Sequence, residues 1–340
     1  MKKLYLLLQL TIGLALVGSS QDLQFSQFYE IPLLRNPSLA GIFTGDIRVS
    51  AVHRSQWQSV TVPYQTSALA VEYKLPIFNF NDFLTLGVQA SLDVAGDVKL
   101  KRTHLLPVVN FHKSLSGDVD NYLSLAFMGG PVQSQFDPTQ GKFDDQFVNG
   151  SYAASNQTLQ TFSRTGYSYL DLSTGITFSS SANEGFRYYV GAALFHFNKP
   201  KINFYNNSAE TVIDQKWVLN AGLTTETSDH SRLIGFADYF RQGAMTQFLG
   251  GLLYETDVVQ YDENDKIALS YGAFYRYNDA LIPVVRLACH RVVLGLSYDA
   301  NVSKLKTASQ LRGGFEITGS FTGFLNSSSS TRDKTLCPKF

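Results

Sequence analysis

Imidazole serves both metal binding and proton transfer, so the six histidines His53, His104, His112, His196, His230 and His290 are the first residues to weigh for chemistry. They are scattered, with no HExxH motif and no spacing of three or four residues that would aim two imidazoles at one metal. Hydrolysis would need a Ser or Asp nucleophile beside a His and an orienting acid, and a nonlocal pair such as Asp171 with His196 stays open to that reading. There is no Walker loop and no dinucleotide fingerprint. The run Asp262, Glu263, Asn264, Asp265 begins like a calcium loop but lacks the glycine and the closing glutamate, and fits a solvated turn better. With 28 basic and 28 acidic residues in balance, charge gives no argument for nucleic acid. The expectation is a protein with no catalytic residue, no cofactor and no metal, and chemistry then yields to architecture.

The chain opens as an export signal. Lys2 and Lys3 supply the positive region, residues 4–17 the apolar region, and Gly18, Ser19 and Ser20 a small-residue cleavage site, so the mature chain is expected to start at Gln21. The apolar run is short for a retained anchor, and no cysteine sits at the junction to make a lipoprotein. From Phe83 onward apolar and polar residues alternate in stretches of about ten, the length that carries a tilted strand across a membrane. In 83–96, Leu84, Leu86, Val88, Ala90, Leu92 and Val94 are apolar, while Thr85, Gln89, Ser91 and Asp93 fall between them. Neighbouring side chains on a strand face opposite ways, so one face suits lipid and the other a polar lumen.

Cutting at Gly, Asn, Asp, Ser and Pro clusters predicts strands at 46–57, 65–75, 83–95, 102–114, 121–134, 166–180, 186–197, 216–226, 231–241, 246–256, 267–276, 283–288, 291–301 and 309–321. The fold class is therefore all-β, a transmembrane antiparallel barrel of about 14 strands, an even number as bacterial barrels require. Pro283 makes 283–288 the weakest of them. Bacterial barrels keep short turns and both termini in the periplasm and long loops outside. The two longest connections, 135–165 and 198–215, both follow odd-numbered strands, which fits this orientation. The Phe 25 and Tyr 18 totals suit interface girdles and a packed lumen.

The domains expected are a signal at 1–20, an N-terminal plug or periplasmic segment at 21–45, the barrel at 46–323 and a serine-rich tail at 324–340. Within 21–45 Asn36 suits a helix cap and Pro37 the first helical position, with the helix ending near Leu39, Ala40 and Gly41. Phe25, Phe28, Tyr29, Ile31, Leu33 and Leu34 are too apolar for an idle lead-in, which is the alternative. In the last strand Leu311, Gly313, Phe315, Ile317, Gly319 and Phe321 share one face, with Arg312, Glu316, Thr318 and Ser320 opposite. Cys289 and Cys337 are the only cysteines; both fall on the periplasmic side, and a disulfide between them would staple the tail to the barrel base. Two free thiols are the other reading, because pairing needs α-carbons within about 7 Å.

Specific motifs carry a family resemblance. Gln24, Phe25, Ser26, Gln27 and Phe28, then Asn36, Pro37, Ser38, Leu39, Ala40 and Gly41, then Arg54 and Trp57, resemble the opening signature of the PorP/SprF family of type IX secretion membrane proteins of Bacteroidetes. Downstream, Phe143, Asp144, Asp145, Gln146 and Phe147 resemble its external-loop motif, and 195–200 its mid-chain strand end. Ser297, Tyr298, Asp299 and Asn301 with Gly313, Gly314, Phe315 and Glu316 resemble its last hairpin, and 337–340 its usual ending. The resemblance implies an outer-membrane barrel working with type IX secretion components. Its cargo would be a secreted protein or adhesin with a C-terminal sorting domain, including adhesins used in gliding, and a peptidoglycan-linked periplasmic protein is a further implied partner. The loop around 143–147 is the expected cargo-facing surface.

The same residues have plainer readings. Asp299 and Asn301 would bond backbone amides of the following turn, Arg54 and Trp57 would be a lumen cation and an interface aromatic, and His196 would mark a strand exit. A channel or transporter for small or hydrophobic compounds is the rival function, and a membrane-embedded hydrolase is a third.

Overall fold

The protein was analysed as a computed structural model that describes residues 22–325 apart from 57–61, 78–80, 117–119, 149, 154, 157, 163, 184, 203–210, 263–264 and 304–311. Fourteen antiparallel strands close into a barrel: β1 (Ile47–Gln56), β2 (Tyr64–Pro76), β3 (Phe83–Ala95), β4 (Leu100–Ser114), β5 (Asn121–Gln135), β6 (Gly166–Asn183), β7 (Phe186–Phe195), β8 (Lys216–Ser228), β9 (Ser231–Gln242), β10 (Met245–Asp262), β11 (Asp265–Arg276), β12 (Ala280–Cys289), β13 (Val292–Asn301) and β14 (Arg312–Gly323). Every strand pairs with its sequence neighbour, and β14 returns to β1 from Ile47 opposite Gly323 to Gln56 opposite Gly314. Closure leaves no free edge, the one way a sheet can satisfy its backbone in lipid. No helix among the described residues is long and apolar enough to cross a membrane.

The alternation sets the register. On β3 Phe83, Thr85, Gln89 and Ser91 are buried on the lumen side, while Leu86 and Leu92 are exposed on the outer wall. The last strand follows suit, with Phe315, Ile317 and Phe321 outside and Glu316 and Thr318 inside. Outward aromatics Trp217, Tyr239, Phe248, Tyr275 and Tyr298 stand close to the external strand ends, as a girdle requires. The longest connections, 136–165 and 196–215, lie at the same end of the barrel, the external end by the rule for bacterial barrels.

Differences from the sequence reading are local. The strand predicted at 283–288 starts three residues earlier, at Ala280. It pairs continuously with β11, but its ladder to β13 is interrupted at Ile282 and Pro283, because proline offers no N–H. β6 and β10 are each 18 residues long and run past the predicted ends. Cys289 is the last residue of β12, exposed on the outer face rather than in the following turn. Cys337, Trp57, the signal, the tail beyond 325 and the centre of the 262–265 turn lie outside the described residues.

Residues 22–43 pack against the inward side chains of the wall, and Asp46 already continues the β1 ladder. They carry three short 3-10 turns, Phe28–Glu30, Pro32–Leu34 and Pro37–Leu39, and nearly all of 25–43 is buried. The last turn is capped as its sequence predicts: Asn36 accepts from Ser38 N, and Pro37 takes the first position. Tyr29 stacks between Phe236 and Phe274, with ring centroids 4.8 and 5.0 Å away. Phe25 and Ile31 cluster with Val52 and Ala68, and Leu33 with Ala70, Val108 and Val218.

The inside-outside assignment makes a direct prediction. Val285→Arg places a charge on the lipid face of β12 and is expected to cost about 2–4 kcal/mol in urea-driven unfolding from vesicles. Val148→Arg, on the exposed external loop, is expected to stay within about 0.5 kcal/mol.

Candidate functional site

The residues that the motifs single out converge in the lumen. A backbone run inside a barrel cannot reach water, so its N–H and C=O groups need partners from the wall. Ser26 N and Gln27 N donate to the two carboxylate oxygens of Glu316 at 2.8 and 2.6 Å. Gln24 O accepts from Arg54 at 2.6 Å, and Gly41 N donates to Glu72 at 2.8 Å. Asn110 donates to the carbonyls of Ser38 and Ala40, both at 2.8 Å. Gly41 adopts φ +83°, and a Cβ there would overlap the Thr85 hydroxyl, so both its backbone and its neighbour demand glycine.

Several buried charges in the lumen are paired. Arg54 reaches Asp299 at 2.6 Å, Arg276 joins the same carboxylate at 3.0 Å, and Ser26 Oγ donates to its other oxygen. Asp299 therefore holds two arginines and a serine instead of ordering the following turn; that task falls to Asn301, which accepts from Ser303 N at 2.9 Å. Arg54 is indeed a lumen cation, but one tied to the N-terminal segment. Arg35 makes a two-pronged contact with Asp238 on β9 at 2.6 and 2.8 Å, donates to Tyr189 Oη at 2.6 Å and lies over the Phe28 ring. Asn36 Nδ2 reaches across to Asn220 Oδ1 at 3.0 Å and Thr177 Oγ1 at 3.2 Å. The wall makes room for it, since a Cβ at Gly175 or Gly191 would intrude on the Asn36 amide. Glu30 pairs with Arg286 at 2.8 Å.

At the external end the segment meets the mid-chain motif. His196 sits just past β7 at φ +56°; its Nδ1 lies 2.8 Å from Asp171 and its Nε2 3.6 Å from Asp22, which also pairs with Lys216 at 3.1 Å. The Asp171 and His196 pair exists, then, but the imidazole's second nitrogen faces a carboxylate where a hydrolase would place a hydroxyl. Burial alone would lower the His196 imidazole, yet its bonds to Asp171 and Asp22 push it up to about 9. Burial would raise the Asp22 carboxyl, and Lys216 with His196 holds it well below the usual range. Asn198 closes the exit by donating to Leu170 O at 2.7 Å and accepting from Leu172 N at 3.2 Å. No group of three His, Cys, Asp or Glu among the described residues could hold a metal ion.

The external-loop motif folds its own loop. Asp145 accepts from Leu159 N at 2.6 Å and Thr158 Oγ1 at 2.9 Å; Gln146, buried, accepts from Phe143 N at 3.1 Å and donates to Asn156 O at 2.9 Å. Phe143 packs on Phe162, and Phe162 on Phe136. Phe147 and Tyr152 pair across a hairpin of two-residue strands. Among the described residues of the loop, the large apolar groups facing solvent are Phe147 (55%), Val148 (49%) and Leu159 (86%). Of the last hairpin, Ser297, Asp299, Asn301, Gly314 and Glu316 face the lumen, and Tyr298 and Phe315 face lipid. Glu72, Asp238, Asn220, Thr177 and Arg276 were not singled out in the sequence. Their only signal is a polar or charged residue at an inward strand position, which does not say what it meets.

The family model described as type IX secretion system membrane protein PorP/SprF matches residues 17–321. The chain belongs to the PorP/SprF family. Family and fold together indicate the outer membrane. No curated protein matches the chain. Solved structures that resemble it include CdiB from Acinetobacter baumannii, at 11% identity and TM-score 0.41 over 81% of this chain and 60% of that one, so the chain spans less than two thirds of that protein. The translocator domain of the autotransporter NalP from Neisseria meningitidis matches at 11% identity and TM-score 0.40 over 81% and 88% of the two chains. A deltaS2 mutant of the TodX monoaromatic hydrocarbon channel matches at 10% identity and TM-score 0.45 over 86% and 93%.

Two outcomes follow for this PorP/SprF barrel. Arg35→Met strands the Asp238 carboxylate in the lumen and is expected to cost about 3–5 kcal/mol in denaturant unfolding, much of it recovered when Asp238→Leu is added. The second concerns pH. The folded His196 pKa lies above its unfolded value of about 6.5, so its contribution is complete below that pH and is lost as pH rises through about 9. Hydrogen-exchange protection of residues 22–28 is expected to fall between those limits, and His196→Gln to flatten that dependence.

Proposed function

We propose that this protein is a non-enzymatic holder of cargo for type IX secretion, supporting secretion or surface attachment of proteins with a C-terminal sorting domain, gliding adhesins among them. The observation that carries this reading is the occupied lumen: residues 22–46 bond to wall residues of β1, β2, β4, β6, β7, β8, β9, β11, β12, β13 and β14. In this reading 21–45 is a plug, the signal at 1–20 is removed, and 324–340 is a periplasmic tail. A lumen occupied by its own chain moves cargo binding to the two barrel faces. Cargo sits on the external loop through Phe147, Val148 and Leu159, while Asp145 and Gln146 hold that surface in shape. Other secretion components, including a peptidoglycan-linked protein, meet the periplasmic face. The chemistry of the Asp171, His196 and Asp22 group is that of a clamp, which supports a binding role over a hydrolytic one.

Deleting the gene and comparing surface and secreted proteomes tests the assignment. Loss of one or a few proteins with C-terminal sorting domains identifies a dedicated accessory barrel, and their general loss a core component; an unchanged set refutes both. Replacing Phe147, Val148 and Leu159 together with Ser is expected to leave the barrel folded and to reduce surface cargo about ten-fold or more, the scale of losing one interfacial anchor. In planar bilayers the intact protein is expected to be silent, and removal of residues 22–43 to open it. Steady conductance by the intact barrel would favour a channel instead.

A further inference from the structure

The outer wall is not uniformly apolar. On β1 to β4 and β14, two adjacent registers behave differently. In the lower one Gly319, Ala51, Leu69, Ala90 and Leu105 face outward in line; in the next toward the external end stand Ile317, His53, Ser67, Leu92 and Thr103. Because Gly319, Ala51 and Ala90 are small, the wall sinks into a groove of about 670 Å³, a volume suited to a bound organic molecule, which both registers line and whose exposed surface is almost wholly apolar. The upper register is polar at three of its five positions. On the opposite wall the outward residues near the external strand ends are Trp217, Leu219, Tyr239, Phe248, Tyr275 and Leu281. An imidazole facing lipid is costly unless something bonds it.

His53 Nδ1 is 2.9 Å from Ser67 Oγ. With the hydroxyl donating to Nδ1, the ring carries its proton on Nε2, which points at no partner among the described residues. Lys101, exposed and one outward position further along β4 than Thr103, adds a cation on the external side. Apolar groove below, neutral and cationic donors above: this is the order of groups in a membrane lipid standing in the outer leaflet.

We propose that this groove is a specific binding site for an outer-leaflet lipid with a phosphorylated head group. One acyl chain lies over Ala51, Ala90 and Gly319, a phosphate oxygen accepts from His53 Nε2, and the Lys101 ammonium, three strands across on β4, attracts the same charge from the external side. The occupant is a lipid because the groove opens on the wall that faces the bilayer, and its donors all stand on the head-group side. The groove lies on the outer wall and is lined by none of the residues proposed to face cargo, so it stands whether or not the cargo reading holds.

The test is photolabelling of the full chain in phosphatidylcholine vesicles containing a phosphatidic acid with a photoreactive acyl chain, followed by mapping of labelled peptides. Label is expected to concentrate at residues 49–53, 67–71 and 88–92, about five-fold above the outward faces of β8 to β12, the factor that one cation at a phosphate supplies. Unlabelled phosphatidic acid should compete and phosphatidylcholine should not. Ala51→Leu with Ala90→Leu, which fills the groove from the lipid side, should bring the label down to the level of the rest of the wall. His53→Leu with Lys101→Leu should abolish the preference for the phosphorylated head group. Even labelling around the barrel, or labelling indifferent to the filled groove, overturns the proposal. So does recovery from cells of a protein, rather than a lipid, crosslinked to a photoreactive residue at position 69.

Discussion

A barrel of fourteen strands is too wide for its own inward side chains to fill, and the structure of this protein depends on how that space is occupied. The chain occupies much of it with its own residues 22–43, three short 3-10 turns joined by irregular backbone. Irregular backbone at membrane depth is tolerable only where protein satisfies it. Glu316 takes two amides, Glu72 a third, Arg54 one carbonyl and Asn110 two. Strands far apart in sequence are thus coupled through a segment that precedes them all.

The electrostatics follow from the same constraint. Charged wall residues that hold a backbone inside a barrel are themselves buried, and each needs compensation. Asp299 is shared by Arg54 and Arg276, Asp238 is gripped by Arg35, and Glu30 meets Arg286. These contacts specify one seating of the segment: a shift along the lumen would separate several ion pairs at once. Specificity of placement is the better-attested use of such pairs, since pairing charges in a dry site gains little net stability. The glycines opposite Asn36 serve the same end by shape, recessed where the amide must sit.

Where the lumen does not hold its own chain, a cavity of about 670 Å³ remains between the segment and the wall, and the external loop, the periplasmic rim and the outer wall are the other free surfaces. The loop owes its shape to Asp145 and Gln146 and offers Phe147, Val148 and Leu159 to solvent. One motif therefore contains both the scaffold and part of the surface that the scaffold presents. The wall in turn is apolar where it meets lipid chains and polar over β1, β2 and β4 near the external end.

By itself the sequence determined the strand number, the inside and outside faces, the loop ends and the cap at Asn36. Each rests on local physics: a period of two, turn chemistry, and the fixed φ of proline. Even the weak strand at Pro283 was visible, its start obscured only because the missing N–H interrupts one ladder and not the other. The family motifs were visible as residues but not as a site. Only the tertiary structure decided that Ser26 meets Asp299, that Arg35 meets Asp238 and that His196 lies between Asp171 and Asp22. The physical reason is separation along the chain. Partners up to about 290 residues apart, such as Ser26 and Glu316, meet only because the barrel closes around the segment that precedes it, and no local period records that encounter.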